Sequence, residues 1–228
     1  MDGGGRLWKY EGCLANSFMS MSSQKSTTDA ATARSPQRER GRLRVAALMK
    51  AASLVFAEKG YEAATMTEIA ARAGASIGSL YQFFPSKEAL ADALLAQYAE
   101  QVEAGLGAIT AGAAALAAPD LADALIDLLV GLKDERRAVM VLFEARREAT
   151  APPSELRDAM RRAIARILAL HAPGLPPPRA AAMAVAVLQQ MKAAALLSVE
   201  PDLESRDEAL AELRRMTRLY LAAGLAPA

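Results

Sequence analysis

The sequence predicts an all-α protein of about nine helices. Three observations carry that expectation. The chain is 53% hydrophobic but only 5% aromatic, and Ala and Leu, which favour helix, supply most of the apolar share. Apolar residues recur at helical spacing along most of the chain. Pro and Gly interrupt that pattern at intervals suited to helices of ordinary length.

The first 33 residues are rich in Gly, Ser and Thr and show no steady apolar period. They are expected to form a disordered tail. A first helix is expected from about Pro36 to Lys59, where Val45, Leu48, Ala52, Val55 and Phe56 form one stripe. Gly60 ends it, since glycine readily takes the left-handed conformation at a helix C-terminus.

Thr65-Met66-Thr67-Glu68 matches a capping box, in which a hydroxyl and a carboxylate each satisfy an orphan backbone N–H. It predicts a short helix over 66–73. Gly74 breaks that helix, and Ser76 caps a second short helix through Phe83 or Phe84. Two short helices joined by a tight turn containing Gly make a helix-turn-helix. Ser86 then caps a long helix through Leu90, Leu94, Tyr98, Val102, Leu106 and Ile109, ending near Ala118. Further helices are expected over 120–132, 134–149, 153–171, 178–199 and 203–223. The domains follow as a tail over 1–33, a helix-turn-helix unit over 34–85 and a helical domain over 86–228.

Charge adds a direction. The net charge is +1, yet the segment from Arg34 to Leu95 holds nine Lys/Arg against six Asp/Glu. Five of those cations, Arg34, Arg38, Arg40, Arg42 and Arg44, fall within eleven positions. That is a modest electrostatic footprint for nucleic acid, or a solvated basic linker. The lone Cys13 excludes an intrachain disulfide and a thiolate metal cluster, and the lone His171 argues against a catalytic zinc site. No cofactor is expected. No stretch approaches the ~20 apolar residues of a membrane span, and no signal-peptide core is visible near the N-terminus. The expectation is a cytoplasmic protein without a membrane partner.

The second short helix carries the chemistry. It is expected to present Ser76, Ile77, Gly78, Ser79, Tyr81 and Gln82 outward, with Leu80 and Phe84 as inward anchors. Such a face is small and nearly uncharged, so it fits a DNA major groove. Gly78 permits close approach, and Ile77 packs on a thymine methyl. Ser79 reaches a base edge or a phosphate, and the Tyr81 hydroxyl and the Lys87 ammonium reach phosphates. Each residue also has a plain structural role available: Ser76 as a cap, Tyr81 as a rim residue, Lys87 as a solvated first-turn lysine.

Taken together, Thr65, Ile69, Ala70, Ala73, Gly74, Ser76, Gly78, Leu80, Tyr81, Phe84, Lys87 and Leu90 follow one order and spacing. With Ala51, Ala52, Phe56, Gly60 and Tyr61 before them, this stretch resembles the DNA-binding segment of TetR-family transcriptional regulators. The resemblance covers roughly residues 40–95. It implies that Met66 and Thr67 lie near the DNA backbone, that Ser76, Ile77, Gly78 and Ser79 face the groove, and that Tyr81 and Lys87 hold phosphates. Many members carry a phosphate-binding His where this chain has Phe83. A phenyl ring cannot make that hydrogen bond, and the basic arm including Arg42 and Arg44 is the expected substitute.

The resemblance also implies a C-terminal domain that binds an effector and dimerises through its last two long helices. Val187 and Met191 on one, and Leu213, Met216 and Tyr220 on the other, are the expected interface, forming a four-helix bundle across a two-fold axis. The expected effector pocket is lined by Leu106, Ile109, Met140, Phe143, Glu144 and Arg147. The partners are therefore double-stranded operator DNA, a second copy of the chain and an unidentified small molecule. The function implied is a repressor released from its operator by that molecule. Its rivals are an effector-independent DNA binder or activator of the same fold, and a helical carrier or enzyme. The last fares badly, with one His, one Cys and no phosphate-cradling Gly loop.

Overall fold

In a computed structural model the chain is all-helical over the residues described, 34–145, 154–200 and 203–226. The expected tail over 1–33 and Arg147 lie outside them. The elements are α1 (Arg34–Ala63), α2 (Met66–Arg72), α3 (Ile77–Phe83), α4 (Lys87–Gly112), α5 (Ala118–Gly131), α6 (Lys133–Ala145), α7 (Ser154–His171), α8 (Pro177–Leu197) and α9 (Arg206–Gly224). The described residues divide into two units, one up to Arg42 and one from Leu43 onward. In the first, Arg40 and Arg42 are exposed helical residues.

The second unit is built around two cores. One collects Leu48, Ala52, Val55 and Phe56 of α1, Ile69 and Ala70 of α2, Leu80 of α3 and Leu90, Ala91 and Leu94 of α4. The other collects Tyr98, Val102 and Leu106 of α4, Leu121 and Leu125 of α5, Ile164, Ile167 and Leu168 of α7, and Val187, Leu188 and Met191 of α8. Helix α4 runs through both, and so does α6. Its Ala138 and Leu142 pack in the first core, whereas Val139 and Phe143 pack in the second. The N-terminal core thus extends past residue 85 into the first two turns of α4.

Gly60 breaks α1 as expected, at φ 82, and Gly74 takes φ 60 in the turn between α2 and α3. Helix α4 stops at Gly112, not near Ala118. The Ala113 carbonyl lies just past that end. It accepts the Nδ1–H of His171 at 3.0 Å, and the chain turns toward α5, which opens with Pro119 in its first turn. His171 is thereby a structural tie between α4 and α7.

Helix α8 differs from the expectation in one respect. By length and composition alone it is apolar enough to cross a membrane. One face of it serves the core, with Ala180, Met183, Ala184, Val187, Leu188, Met191, Ala194 and Ala195 all buried. Arg218 grips Asp123 through two nitrogens, at 2.9 and 2.7 Å, and Arg214 bonds Asp127 at 2.6 Å. These pairs pin α9 to α5.

Candidate nucleic-acid interface

The local chemistry that sets the helix-turn-helix is present in full. Thr65 Oγ1 accepts the Glu68 N–H at 3.2 Å, and the Glu68 carboxylate accepts the Thr65 N–H at 3.4 Å. Lys59 pairs with the same carboxylate. That ion pair, foremost, and the Thr65 hydroxyl hold the Glu68 carboxyl below its ordinary range. Ser76 Oγ caps α3 through the Ser79 N–H at 3.2 Å, and Ser86 Oγ caps α4 through the Ala89 N–H at 3.1 Å.

The Ser76 cap and the positive-φ Gly74 before it therefore set the start of α3, and its single buried residue, Leu80, anchors it from below. The opposite face is open. Ser76, Gly78 and Gln82 are exposed and Ser79 is half-buried, while Ile77 and Tyr81 are 40% and 50% exposed. Phe83 is also exposed. Gly78 is the telling position. A Cβ added there would meet nothing within 4 Å, and its φ is not positive. Neither crowding nor backbone conformation inside the protein requires glycine, although glycine in a helix costs about 0.5–1 kcal/mol relative to alanine. Gly78 thus leaves a gap in the exposed face of α3 that packing within the protomer does not require.

Other expected contacts are placed differently. Met66 is only 8% exposed and belongs to the N-terminal core. It follows the Thr65 cap directly, and the first turn of α2 directs it beneath the helix, so the expected backbone contact is revised to a packing role. Thr67, next to it, is exposed. Arg44 donates to the Gly74 carbonyl at 3.2 Å, which ties α1 to the turn and leaves other donors of an exposed guanidinium available.

Lys87 is the main surprise. Its ammonium donates to the carbonyls of Tyr61, Glu62 and Ala64 at 2.9, 3.2 and 3.3 Å. It also sits over the Tyr61 ring, 4.5 Å from the centroid, and the Tyr61 hydroxyl donates to Glu88 at 3.2 Å. The hydroxyl bond contributes, behind a backbone N–H bond and the Ser86 hydroxyl, to a lowered Glu88 carboxyl pKa. Lys87 thus closes the end of α1 onto the start of α4, and a phosphate would have to share an ammonium already occupied. Tyr61 at the end of α1 and Lys87 in the first turn of α4 are both visible in the sequence, but nothing there pairs them.

In the C-terminal half, Leu106 is part of the second core, and Ile109 and Phe143 pack against it. Met140 is revised: it is 41% exposed, on the face of α6 opposite Ala138 and Leu142. Glu144 is exposed and has an interaction partner. Val187 and Met191 are fully buried within one protomer and cannot belong to a dimer surface. On the last two helices the large apolar residues left exposed are Val185 and Leu196 on α8 and Met216, Leu219 and Tyr220 on α9, with Leu213 half-buried.

Comparison with known proteins agrees with this geometry. Residues 48–94 match the profile of bacterial regulatory proteins of the tetR family, and residues 119–221 match a tetracyclin repressor-like C-terminal domain. The HTH-type transcriptional activator FasR of Mycolicibacterium smegmatis is 48% identical over 59 residues. That match spans 26% of this chain and 27% of the relative. A tetR-family regulatory protein from Rhodococcus RHA1 superposes with a TM-score of 0.56 at 26% identity, covering 81% of this chain and 98% of that one. AibR, solved with isovaleryl coenzyme A and operator DNA, shares the fold with a TM-score of 0.56 at 17% identity, over 78% of this chain and 98% of its own. The profiles fall on the two cores in turn, and the chain belongs to the TetR family of DNA-binding, helix-turn-helix transcriptional regulators.

Proposed function

We propose that the protein is a cytoplasmic, homodimeric repressor that holds a palindromic operator and releases it when a small molecule binds the C-terminal domain. The observation that carries this reading is the open face of α3, where Gly78 is kept free of a side chain that no neighbour excludes. In the proposed complex each α3 lies in one of two successive major grooves, about 34–36 Å apart. Ile77, Gly78 and Ser79 meet base edges. Tyr81, Thr67, Ser76 and Arg44 meet the backbone, and Lys87 contributes mainly by holding α4 in place. Met216, Leu219 and Tyr220, with Val185 and Leu196, are the proposed dimer surface. They are large apolar side chains exposed on the two helices that close the C-terminal core.

Helices α4 and α6 support coupling between the two activities, because each places side chains in both cores. A ligand shifts DNA affinity only as far as it prefers one arrangement of those helices. A second reading, activation, is favoured by the name of the relative whose DNA-binding segment is 48% identical. Selecting bound fragments from genomic DNA tests the first part. A palindrome enriched by the wild type and lost with Gly78→Ala supports operator recognition, and no enrichment over random fragments refutes it. A reporter placed behind the recovered fragment then reads the sign: expression rising on deletion of the protein means repression, and expression falling means activation.

A further inference from the structure

Gln82 stands on the outermost ridge of α3. Leu80 is the one buried residue of that helix, so its direction fixes how the helix is turned. With about 3.6 residues per turn, the line midway between Gly78 and Gln82 lies about 180° from Leu80. Both residues on that line are exposed, and Ser79 and Tyr81 fall about 80° to either side of it. The ridge made by Gly78 and Gln82 therefore reaches furthest into whatever α3 docks against. The two are neighbours one turn apart. Long side chains on a helix lean toward the preceding turn, which directs the Gln82 amide over Gly78. A Cβ at Gly78 would meet nothing within 4 Å, so the space there is open. Among the described residues the Gln82 side chain has no hydrogen-bond partner.

The chemistry along α3 singles out the same residue. Ile77, Gly78, Leu80 and Phe83 have no polar side-chain group, and Ser79 and Tyr81 have one hydroxyl each. Gln82 alone carries a donor and an acceptor side by side in one plane. In the major groove adenine presents the complementary pair, an acceptor at N7 beside a donor at the 6-amino group. Guanine presents two acceptors, which would set its O6 against the glutamine carbonyl, and cytosine presents only a donor. We infer that Gln82 reads one adenine in each operator half-site. Its amide nitrogen donates to N7 and its carbonyl accepts from the 6-amino group, and bare Gly78 leaves room for the amide and the base edge together. This rests on operator recognition by α3 and assigns the base that the ridge selects.

Selection of bound duplexes from a randomised library by the full chain tests the assignment, with wild type, Gln82→Ala and Gln82→Arg in parallel. Wild type should enrich a site with an adenine at one fixed position in each half. Gln82→Ala should accept any base there and keep the rest of the site. Gln82→Arg should prefer guanine there, because a guanidinium bonds N7 and O6 together. All three proteins should melt alike, since the position is exposed. Replacing that adenine with 7-deazaadenine, which lacks the N7 acceptor, should then weaken wild type at least about fivefold and leave Gln82→Ala unchanged. Identical base preferences in all three proteins overturn the assignment. So does a uniform loss on every sequence in the variants, which would make Gln82 a backbone contact. If wild type enriches no sequence, operator recognition fails and the assignment with it. An enriched operator with no position that depends on Gln82 sinks the assignment alone.

Discussion

Replacing Gly78 with alanine separates what the protein needs from what its partner needs. Gly78 sits in α3 with an ordinary helical conformation, and a new methyl would meet nothing within 4 Å. The substitution removes the conformational freedom of glycine from the unfolded chain and adds a strong helix former. It should stabilise the fold by about 0.5–1 kcal/mol, a Tm rise of about 1–4 °C for a chain of this size. If the bare backbone is there for close approach to DNA, the same methyl meets the duplex instead. A tenfold loss of affinity for the selected operator fragment, about 1.4 kcal/mol, is the expected minimum. Thermal melting and fluorescence anisotropy on one preparation read both numbers. Gly74→Ala is the control of opposite sign. It sits at φ 60, so alanine there is strained by roughly 1–2 kcal/mol and should lower Tm. A Gly78→Ala protein that melts lower, or that binds operator as tightly as wild type, would refute the reasoning.

Tyr81→Phe should weaken binding to operator and random DNA alike while leaving Tm unchanged, whereas Ile77→Ala should alter sequence preference; anisotropy on both fragments distinguishes them. Lys87→Met should destabilise by about 1–3 kcal/mol, because carbonyls at the end of α1 lose a charged donor. Unchanged stability with lost DNA binding would return the ammonium to a phosphate role. The Glu68 carboxyl is lowered in the fold, so its contribution is present above its unfolded pKa and fades as pH falls through the folded value. Glu68→Gln should flatten that part of the acid limb in a pH series of melts. A Met216→Asp, Leu219→Asp double variant should sediment as a monomer and stay folded, since those side chains are 57% and 62% exposed, whereas Val187→Asp should fail to fold.

The helix-turn-helix was legible in the sequence because its determinants are local. A capping box at Thr65 and Glu68, a serine at 76 and a glycine at 74 act within four residues of themselves. The burial of Leu80 and Phe84 and the exposure of Ile77 and Tyr81 follow from helical period alone. What stayed hidden depends on residues distant in the chain. Lys87 meets carbonyls 23 to 26 positions away, and His171 bonds the Ala113 carbonyl from 58 positions away. Val187 and Met191 lie on an apolar stripe that periodicity marks as buried, but periodicity does not say whether the cover is this chain or its twin. The neighbouring face of α8 and the outer face of α9 carry the apolar residues that stay exposed.

Hydroxyl-radical footprinting of the genomic fragment with the strongest retention addresses the central claim most directly. Two protected patches one helical turn apart, symmetric about the palindrome's centre and erased by Gly78→Ala, are the predicted pattern. Protection spread evenly along the duplex, or patches that survive in the variant, would contradict it.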